Sequence, residues 1–566
     1  MRRITILSIA LGFITTLSYG TGAHIAIRFL NPPFGAWWNA NEFAMVECSA
    51  AAFGMLLGIR LGALLAVMAA RHRNSLAGII LISPIISGRR YLRELRTAQR
   101  AASLAAIPEP GRGNEIQTIG DGSMEASGFP LSAATLAALT GFDLPLSFTP
   151  GFAMLIIDDS RMPVARGWVE AISAAAEIKY LALSGLIEMI YTAPHDAKPS
   201  EAILSTVLEW LQRDLVEDMG VAEVVSGDRS DEYAQASNTL TLPGNEPTRD
   251  ATLTEQALLI GSDPAIFGIL TRPRQDEMRR RAVILINAGA TYHAGPNRFY
   301  VSLARRWALS GYFVLRLDLA GLGDSDTRCG RTDNEVFPPA ALDDIRVAIE
   351  FLRNRCAIYD VTLCGFCSGA YHALRAAVAQ LPVNRILLVN PENFFWKQGT
   401  DLHALESAEV VRRTRGHRER VFSLAAWKRL LTGQIDLWRI ARIYVQRPLL
   451  ALESQLRDCA RLLGVRLPHD LGSELETISA RGVRVVFIFA YGEAGIELLH
   501  IEAGSSIKRL KDRCSIHIIE GADHIFSRSA SRAILGNILN NELFAINPSR
   551  TPPIAPSGMD KNQIVI

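Results

Sequence analysis

Apolar residues in the second half of the chain alternate between short continuous runs and amphipathic segments. The continuous runs are typical of strands buried on both faces of a parallel sheet, and the segments between them repeat apolar positions at helical spacing. The predicted strands are AVILINAGA, YFVLRLDLAG, YDVTLCG, RILLVN, VRVVFIFAYG and SIHIIEG. The predicted helices are FYVSLARRWALSG, DDIRVAIEFLRNR, one from Ala370, one near IKRLKDR, and one that closes the chain. This order predicts an α/β fold whose mostly parallel sheet is covered by helices.

Two less regular stretches divide the chain. Residues 226–250 are polar, rich in Gly, Pro, Asn and Asp, and have the composition of a linker. Residues from about 391 to 482 are too long for an ordinary connection within a sheet, so they predict a helical cap. We therefore predict a first domain over 1–225, a second domain over 251–548 and a C-terminal tail over 549–566.

Two apolar runs near the start raise the question of a membrane segment. The run ITILSIALGFITTLSY, after Met1-Arg2-Arg3, is shorter than the roughly 20 residues that span a bilayer, and a cleaved leader is left open. The run from Ser49 to Ala70 is longer but has Arg60 at its centre. Because an arginine inside a bilayer is costly, this run predicts a buried strand followed by a helix.

Composition narrows the class of protein. The chain has 566 residues, 49% of them hydrophobic, and a net charge of +2, which predicts a globular protein with more than one domain and no nucleic-acid partner. Seven cysteines, an odd and scattered set, favour a reducing cytoplasm over a disulfide framework.

The stretch VTLCGFCSGAYHAL, from Val361 to Leu374, contains two closely spaced cysteines. A redox pair needs both sulfurs accessible, whereas Cys364 falls at the end of a buried strand, and no second cysteine or histidine pair completes a zinc site. Residues 365–369 instead have the form G-x-Nu-x-G of a nucleophile elbow. This pattern predicts Cys367 as the nucleophile, with the backbone N–H of Ser368 facing the oxyanion.

Loops after the other strands supply the expected partners. Small residues after the first strand of this half predict Gly289 as the second oxyanion donor, and an ordinary glycine turn is the alternative. His524, after the last strand, is the predicted general base. The acid that orients it is predicted to be Glu493, with Glu497 and Glu392 as alternatives.

A glycine-rich segment, RLDLAGLGDSD, predicts a tight chain reversal after the second strand. No G-K-[ST] follows it, so nucleotide binding is not predicted. No cofactor or metal is predicted.

Residues from about 255 to 545 resemble the α/β-hydrolase superfamily. The segments INAGATYHAGPNRFYVSLARR, RLDLAGLGDSD, GFCSGAYHAL and GADHIF are similar to small hydrolases associated with bacterial exosortase systems and exopolysaccharide gene clusters. The resemblance implies a capped α/β sheet, Cys367 as nucleophile, His524 as base, an acid near Glu493, and hydrolysis of an ester or thioester. The chain departs from the common pattern in having cysteine for serine, Asn-Ala for His-Gly before Gly289, and glutamate for aspartate.

The first half resembles the same group less completely. Arg60 occupies the nucleophile position of residues 58–62, no histidine follows GLIEM, and His195 lies beyond the expected turn. Strands that should precede this elbow are hard to find in the first 50 residues. The resemblance therefore implies a degenerate, abbreviated, catalytically silent half that packs against, caps or regulates the second.

The predicted function is hydrolysis of a small acyl substrate through an acyl-cysteine intermediate, in the cytoplasm. An acyltransferase with the same nucleophile and a non-catalytic scaffold of a polysaccharide-export assembly are the alternatives. Five arginines in the predicted cap predict either a solvated basic face or contact with an anionic acyl donor or lipid head groups: Arg412, Arg413, Arg415, Arg418 and Arg420. Peripheral membrane contact is therefore left open, and the oligomeric state is not predicted.

Overall fold

A computed structural model describes sixteen parts of the chain. They are residues 46–50, 53–70, 76–105, 122–126, 129–144, 151–172, 178–191, 200–211, 237–242, 251–273, 279–397, 457, 461, 467, 469–510 and 513–545. The N-terminal apolar run, His195, the five arginines at 412–420, most of the predicted cap and the C-terminal tail lie outside the described residues. Among the helices of the described parts, none is both long and apolar enough to cross a membrane.

The first half forms a five-stranded sheet in the order β1-β2-β3-β6-β7. Strand β1 is antiparallel to β2, and the other strands are parallel. Strands β4 and β5 make a separate two-stranded hairpin. The strands are β1 (Val46–Ala50), β2 (Phe53–Ile59), β3 (Leu76–Ile82), β4 (Met124–Ala126), β5 (Phe129–Leu131), β6 (Ala153–Asp159) and β7 (Ile178–Leu183). The helices are α1 (Leu61–Ala70), α2 (Gly88–Ala105), α3 (Ala133–Thr140), α4 (Arg166–Ile172), α5 (Leu186–Tyr191) and α6 (Glu201–Leu211).

The apolar run around Arg60 folds as a strand and a helix, which confirms that prediction. Strand β2 and helix α1 meet at Arg60, whose backbone has a positive φ of 54°. The Arg60 side chain is buried and is paired with Glu94. The arginine is thus accommodated inside a folded domain by a carboxylate.

The second half forms a nine-stranded sheet in the order β8-β9-β10-β12-β11-β13-β14-β15-β16. Strands β11 to β16 are parallel, and β8, β9 and β10 form an antiparallel edge. The strands are β8 (Ser237–Leu242), β9 (Ala251–Ile260), β10 (Ile266–Arg272), β11 (Arg281–Ile286), β12 (Phe313–Leu317), β13 (Asp360–Phe366), β14 (Arg385–Val389), β15 (Arg484–Ala490) and β16 (Cys514–Ile519). The helices are α7 (Phe299–Leu309), α8 (Ala341–Cys356), α9 (Ser368–Val378), α10 (Leu471–Ala480), α11 (Ala494–Arg509) and α12 (Ser529–Phe544).

Strand β11 shows why the parallel strands are apolar throughout. Ala282, Ile284 and Ile286 pack into the core that contains helices α8 to α11, whereas Val283 and Leu285 pack into the core that contains α7 and α12. Successive residues of a strand point to opposite faces, so a sheet covered on both sides needs apolar residues at every position.

One local prediction was wrong, and one predicted helix has a different extent. Part of the predicted linker, residues 237–242, is strand β8, paired with β9, because the alternation of Leu and Thr in SNTLTL suits a sheet edge. The helix predicted near IKRLKDR is α11, which begins much earlier, at Ala494, and ends at Arg509. Its glycines and serines have low helical propensity, and packing of Leu498, Leu499 and Ala503 against the sheet overrides it.

Gly369 brings helix α9 unusually close to strand β11. A Cβ atom at Gly369 would lie 2.4 Å from the carbonyl oxygen of Asn287 and 2.8 Å from that of Ile286. We predict that Gly369→Ala lowers the free energy of unfolding by about 1–3 kcal/mol, because backbone atoms must move apart. The matched control is Gly504→Ala in helix α11, where a Cβ meets nothing within 4 Å and alanine should raise stability by up to about 1 kcal/mol. Denaturant unfolding of both variants measures this, and equal effects would contradict the close approach.

Candidate active site

Cys367 occupies a strained turn between strand β13 and helix α9. Its φ and ψ are 50° and −112°, and its N–H donates to the carbonyl of Val389 at 2.9 Å. A Cβ at Gly365 would lie 2.2 Å from the backbone of Gly369, so the turn requires glycine at this position. The geometry is that of a nucleophile elbow centred on Cys367, with Ser368 starting the helix.

His524 lies in the loop between strand β16 and helix α12 and reaches the cysteine. The Sγ of Cys367, a carboxylate oxygen of Glu392 and a ring nitrogen of His524 all lie within 4.8 Å of one another. His524 Nδ1 lies 3.1 Å from Oε2 of Glu493 and 3.8 Å from Oε1 of Glu392. The structure therefore brings together the three residues predicted to form the triad.

The three candidate acids occupy different positions. Glu493 caps helix α11 at the end of β15 and makes the shorter contact with His524. Glu392 follows β14, and its Oε2 lies 3.9 Å from the Sγ of Cys367. Glu497 lies in the first turn of α11. Glu493 is thus best placed to orient the imidazole, while Glu392 contacts both His524 and Cys367.

The pKa of His524 reflects these neighbours. Burial lowers its pKa, but hydrogen bonds to Cys367 and Glu493 outweigh burial and hold the pKa well above its ordinary value. A third of the His524 side chain, 33%, remains exposed, so a substrate can reach it. The raised pKa favours the protonated form of the His524 imidazole beside the cysteine.

The other cysteine of the opening motif is part of the core. Cys364 is fully buried, and burial raises the pKa of its thiol well above the ordinary range. Cys514 is also buried, and burial raises its pKa to about 12. Neither thiol is suited to nucleophilic chemistry.

Asn390 positions the loop that carries His524, and the sequence analysis missed it. Its Oδ1 accepts from the N–H of Ala490 at 2.7 Å, and its Nδ2 donates to the carbonyl of His524 at 2.6 Å. The side chain is buried and its φ is 46°. The available signal was a polar residue directly after the apolar run RILLV, at the edge of the sheet where the other site residues lie.

The two predicted oxyanion donors contact each other. The N–H of Gly289 donates to the Oγ of Ser368 at 2.8 Å. Gly289 has a positive φ of 58°, and a Cβ there would meet no atom within 4 Å, so the space beside it is open. The Gly289 loop and the start of helix α9 therefore lie side by side next to Cys367.

The Asn287 side chain holds this loop in place. Its Oδ1 accepts from the N–H of Leu319 at 2.7 Å, and its Nδ2 donates to Thr291 O and to Asp318 Oδ1 at 2.8 and 2.7 Å. His293 Nδ1 lies 2.8 Å from the other carboxylate oxygen of Asp318. The asparagine that replaces the histidine of the common hydrolase pattern thus ties the Gly289 loop to the end of strand β12.

Among the residues that the structure describes, two clusters have side chains of the kind that bind metals. One is the set of Cys367, Glu392 and His524, and the other is His293, Asp318 and Asp324. In the second cluster both oxygens of Asp318 already accept hydrogen bonds, from Asn287, the N–H of Asp324 and the His293 contact. That cluster therefore has the bonding of a structural hydrogen-bond network.

The first half repeats the backbone of the elbow with different side chains. The N–H of Arg60 donates to Ile82 O at 2.9 Å, as that of Cys367 does to Val389 O. The N–H of Ser160 donates to Leu183 O at 2.9 Å, and that of Tyr491 donates to Ile519 O at 2.8 Å.

Counting along the chain from these hydrogen bonds aligns the two sets of side chains. The arginine stands at the place of the nucleophile, Met162 at the place of Glu493, and Glu188 at the place of His524. The first half therefore has no thiol at the place of Cys367, no carboxylate at the place of Glu493 and no imidazole at the place of His524.

One acidic residue of the first half contacts the helix that follows the His524 loop. Glu125, in β4, accepts hydrogen bonds from the N–H of Ser529 at 2.5 Å and from its Oγ at 3.1 Å. Arg532 lies 3.6 Å from the same carboxylate and donates to the carbonyl of Phe526 at 3.0 Å. The Glu125 carboxylate thus lies at the positive end of helix α12. Arg532 connects it to the carbonyl of Phe526, two residues after His524.

Comparisons with known proteins bear on the second half of the chain. Residues 283–534 match the model of a family described as "Alpha/beta hydrolase family". Among curated proteins, none matches the chain.

Similar solved structures include an α/β serine hydrolase of Xanthomonas campestris described as lacking a lid, at 15% identity and a TM-score of 0.29 over 51% of this chain and 93% of that one. A dienelactone hydrolase of Anabaena variabilis is similar at 12% identity and a TM-score of 0.31, over 51% of this chain and 95% of that one. An esterase of Pyrococcus furiosus is similar at 11% identity and a TM-score of 0.30, over 56% of this chain and 98% of that one. The family match, together with the sheet order and the elbow, gives residues 283–534 of this chain the α/β-hydrolase fold.

Proposed function

We propose that the second half of the chain hydrolyses an ester or thioester of a small acyl group through an acyl-cysteine intermediate. The observation that carries the proposal is the convergence of Cys367, His524 and Glu493 at the carboxyl ends of parallel strands, with Cys367 in the elbow turn. Loops at this edge of an open α/β sheet are where ligands bind.

The chemistry follows from the protonation of the pair. In the proposed reaction His524 takes the Cys367 proton and the sulfur attacks the acyl carbonyl carbon, so that a C–S bond forms and an electron pair moves onto the carbonyl oxygen. When this tetrahedral state collapses, the bond to the leaving group breaks and His524 gives that group its proton. Water, deprotonated by the now neutral imidazole, then cleaves the thioester and restores the thiolate.

Two other proposals share this site. An alcohol or amine in place of water would make the protein an acyltransferase, since the acyl-cysteine is common to both reactions. A non-catalytic scaffold would need none of the geometry at Cys367. The link to exosortase or exopolysaccharide systems, and the cytoplasmic location, rest on the sequence patterns alone.

For the first half, we propose a catalytically silent hydrolase-like unit that supports the second. An arginine at the elbow cannot accept an acyl group, and Met162 cannot orient a base. The contact of Glu125 with Ser529 and Arg532 gives this half a physical route to the His524 loop.

Turnover depends on the thiol. We expect Cys367→Ala to abolish hydrolysis of short-chain p-nitrophenyl esters and acyl thioesters, because no other residue in the described part of the site is placed to form the acyl bond. Cys367→Ser should retain a small residual rate, and EDTA should leave the wild-type rate unchanged. Turnover by Cys367→Ala equal to wild type would refute the nucleophile, and loss of turnover in EDTA would point to a metal held by Cys367, Glu392 and His524.

Alkylation of Cys367 by iodoacetamide distinguishes the two carboxylates. Because the raised pKa of His524 favours a cationic ring beside the sulfur, we expect wild-type alkylation at pH 6–7 to be faster than that of a free cysteine, whose pKa is about 8.5. Glu493→Gln removes an anion that raises the pKa of His524 and should slow alkylation at pH 6.5 several-fold. Glu392→Gln removes an anion next to the sulfur and should keep or raise the rate.

Mass-spectrometric mapping identifies the labelled residue in that experiment, with buried Cys364 and Cys514 as unlabelled controls. Equal slowing in both glutamine variants would contradict the division of roles between the two acids.

Coupling between the halves is tested at Glu125. We expect Glu125→Gln to lower kcat about three- to tenfold with little change in KM, because the hydrogen bonds to helix α12 weaken and the base loop is held less firmly. The matched control is Glu170→Gln, which removes an exposed glutamate paired with Arg166 in helix α4 of the same half. Equal kcat in both variants and in wild type would rule out this route of support.

A further inference from the structure

The hydrogen bond between Gly289 and Ser368 alters the assignment of the oxyanion hole. An N–H that is to stabilise an oxyanion must point at the place where that oxygen develops. In this structure the N–H of Gly289 points at the Oγ of Ser368, at 2.8 Å. The serine hydroxyl therefore stands where the predicted donor would meet the substrate.

The hydroxyl itself has a proton to give. A serine side chain offers one O–H donor and two acceptor lone pairs, and here one lone pair receives the Gly289 proton. Ser368 is 1% exposed, and within the described part of the chain its hydroxyl donates to no protein acceptor. A buried hydroxyl proton is costly to leave without an acceptor, so the site favours a ligand atom that accepts it.

We propose that the Ser368 hydroxyl is a catalytic residue that donates to the oxyanion. The acyl oxygen accepts hydrogen bonds from the Ser368 O–H and from the Ser368 backbone N–H. The Gly289 N–H donates to the oxygen of the same hydroxyl and polarises it. A donor that already accepts a hydrogen bond is the stronger for it. This inference rests on the proposed acyl chemistry at Cys367 and extends it to a side chain.

Each step of the addition balances without a further reactant. The Cys367 thiolate forms a bond to the carbonyl carbon, the π electron pair moves to the oxygen, and that oxygen accepts the two hydrogen bonds from Ser368 without taking either proton. On collapse the electron pair re-forms the carbonyl, and the Ser368 proton stays on the serine.

The test uses a reversible mimic of the tetrahedral state. A short-chain alkyl trifluoromethyl ketone adds to the Cys367 thiolate to give an oxyanion, and ¹⁹F NMR of the full-length protein reports the dissociation constant of the adduct. We expect Ser368→Ala to weaken the adduct about 10- to 100-fold and to lower kcat for a p-nitrophenyl ester about 10²-fold with KM little changed. Iodoacetamide alkylation, which forms no oxyanion, should proceed at the wild-type rate.

The matched control is Ser531→Ala. Ser531 is also buried, and its hydroxyl donates to Arg528 O at 2.9 Å at the start of helix α12. It reports the cost of deleting a buried serine hydroxyl as such, and its adduct should match that of wild type. Unfolding free energies of both variants show whether either has lost its fold.

The outcomes separate this inference from the function on which it rests. An adduct of wild-type strength or tighter in Ser368→Ala would show that the hydroxyl does not donate, and would overturn the inference while leaving Cys367 as the nucleophile. A wild-type protein that is alkylated at Cys367 but forms no ketone adduct would overturn both. A weaker adduct with unchanged alkylation in Ser368→Ala alone supports the hydroxyl as donor.

Discussion

The site depends on the close approach of helix α9 to strand β11, which only a glycine at position 369 permits. The missing side chain lets the start of the helix lie against the carbonyls of Ile286 and Asn287. At this contact Ser368 lies next to the Gly289 N–H, and Cys367 before it has a positive φ. A core contact between two backbones therefore brings the elbow turn and the Gly289 loop together.

Electrostatics then decide whether the cysteine is reactive. Two carboxylates, Glu392 and Glu493, flank one imidazole, and Glu392 also contacts the sulfur, where its negative charge opposes a thiolate. The same surroundings that supply these carboxylates raise the pKa of His524 and so favour its protonated form.

The sequence was sufficient to predict features for which the backbone requires one residue type, and features that lie at the end of a recognisable strand. Gly365, Gly369 and the apolar runs predicted the elbow and the parallel sheet, and His524 was found because the last strand could be located. The contact between Gly289 and the Ser368 side chain, and the role of Asn390, depend on distances between loops far apart in the chain, which no local pattern reports. The same limit left Glu493 and Glu392 as alternatives, since both follow strands and only their separations from His524 distinguish them.

The first half shows which part of the elbow motif belongs to folding and which to chemistry. A Cβ at Gly58 would lie 2.4 Å from the carbonyl of Gly62, the same kind of contact that Gly365 makes with Gly369. Arg60 adopts the positive φ of Cys367 although its side chain turns to Glu94 and cannot take part in acyl transfer. The spacing of the two glycines satisfies a packing constraint between strand and helix. It is therefore present in both halves, although the residue between the glycines is Arg60 in one and Cys367 in the other. The spacing therefore identifies the fold, and the central residue with the side chains at the ends of the next strands identifies the reaction.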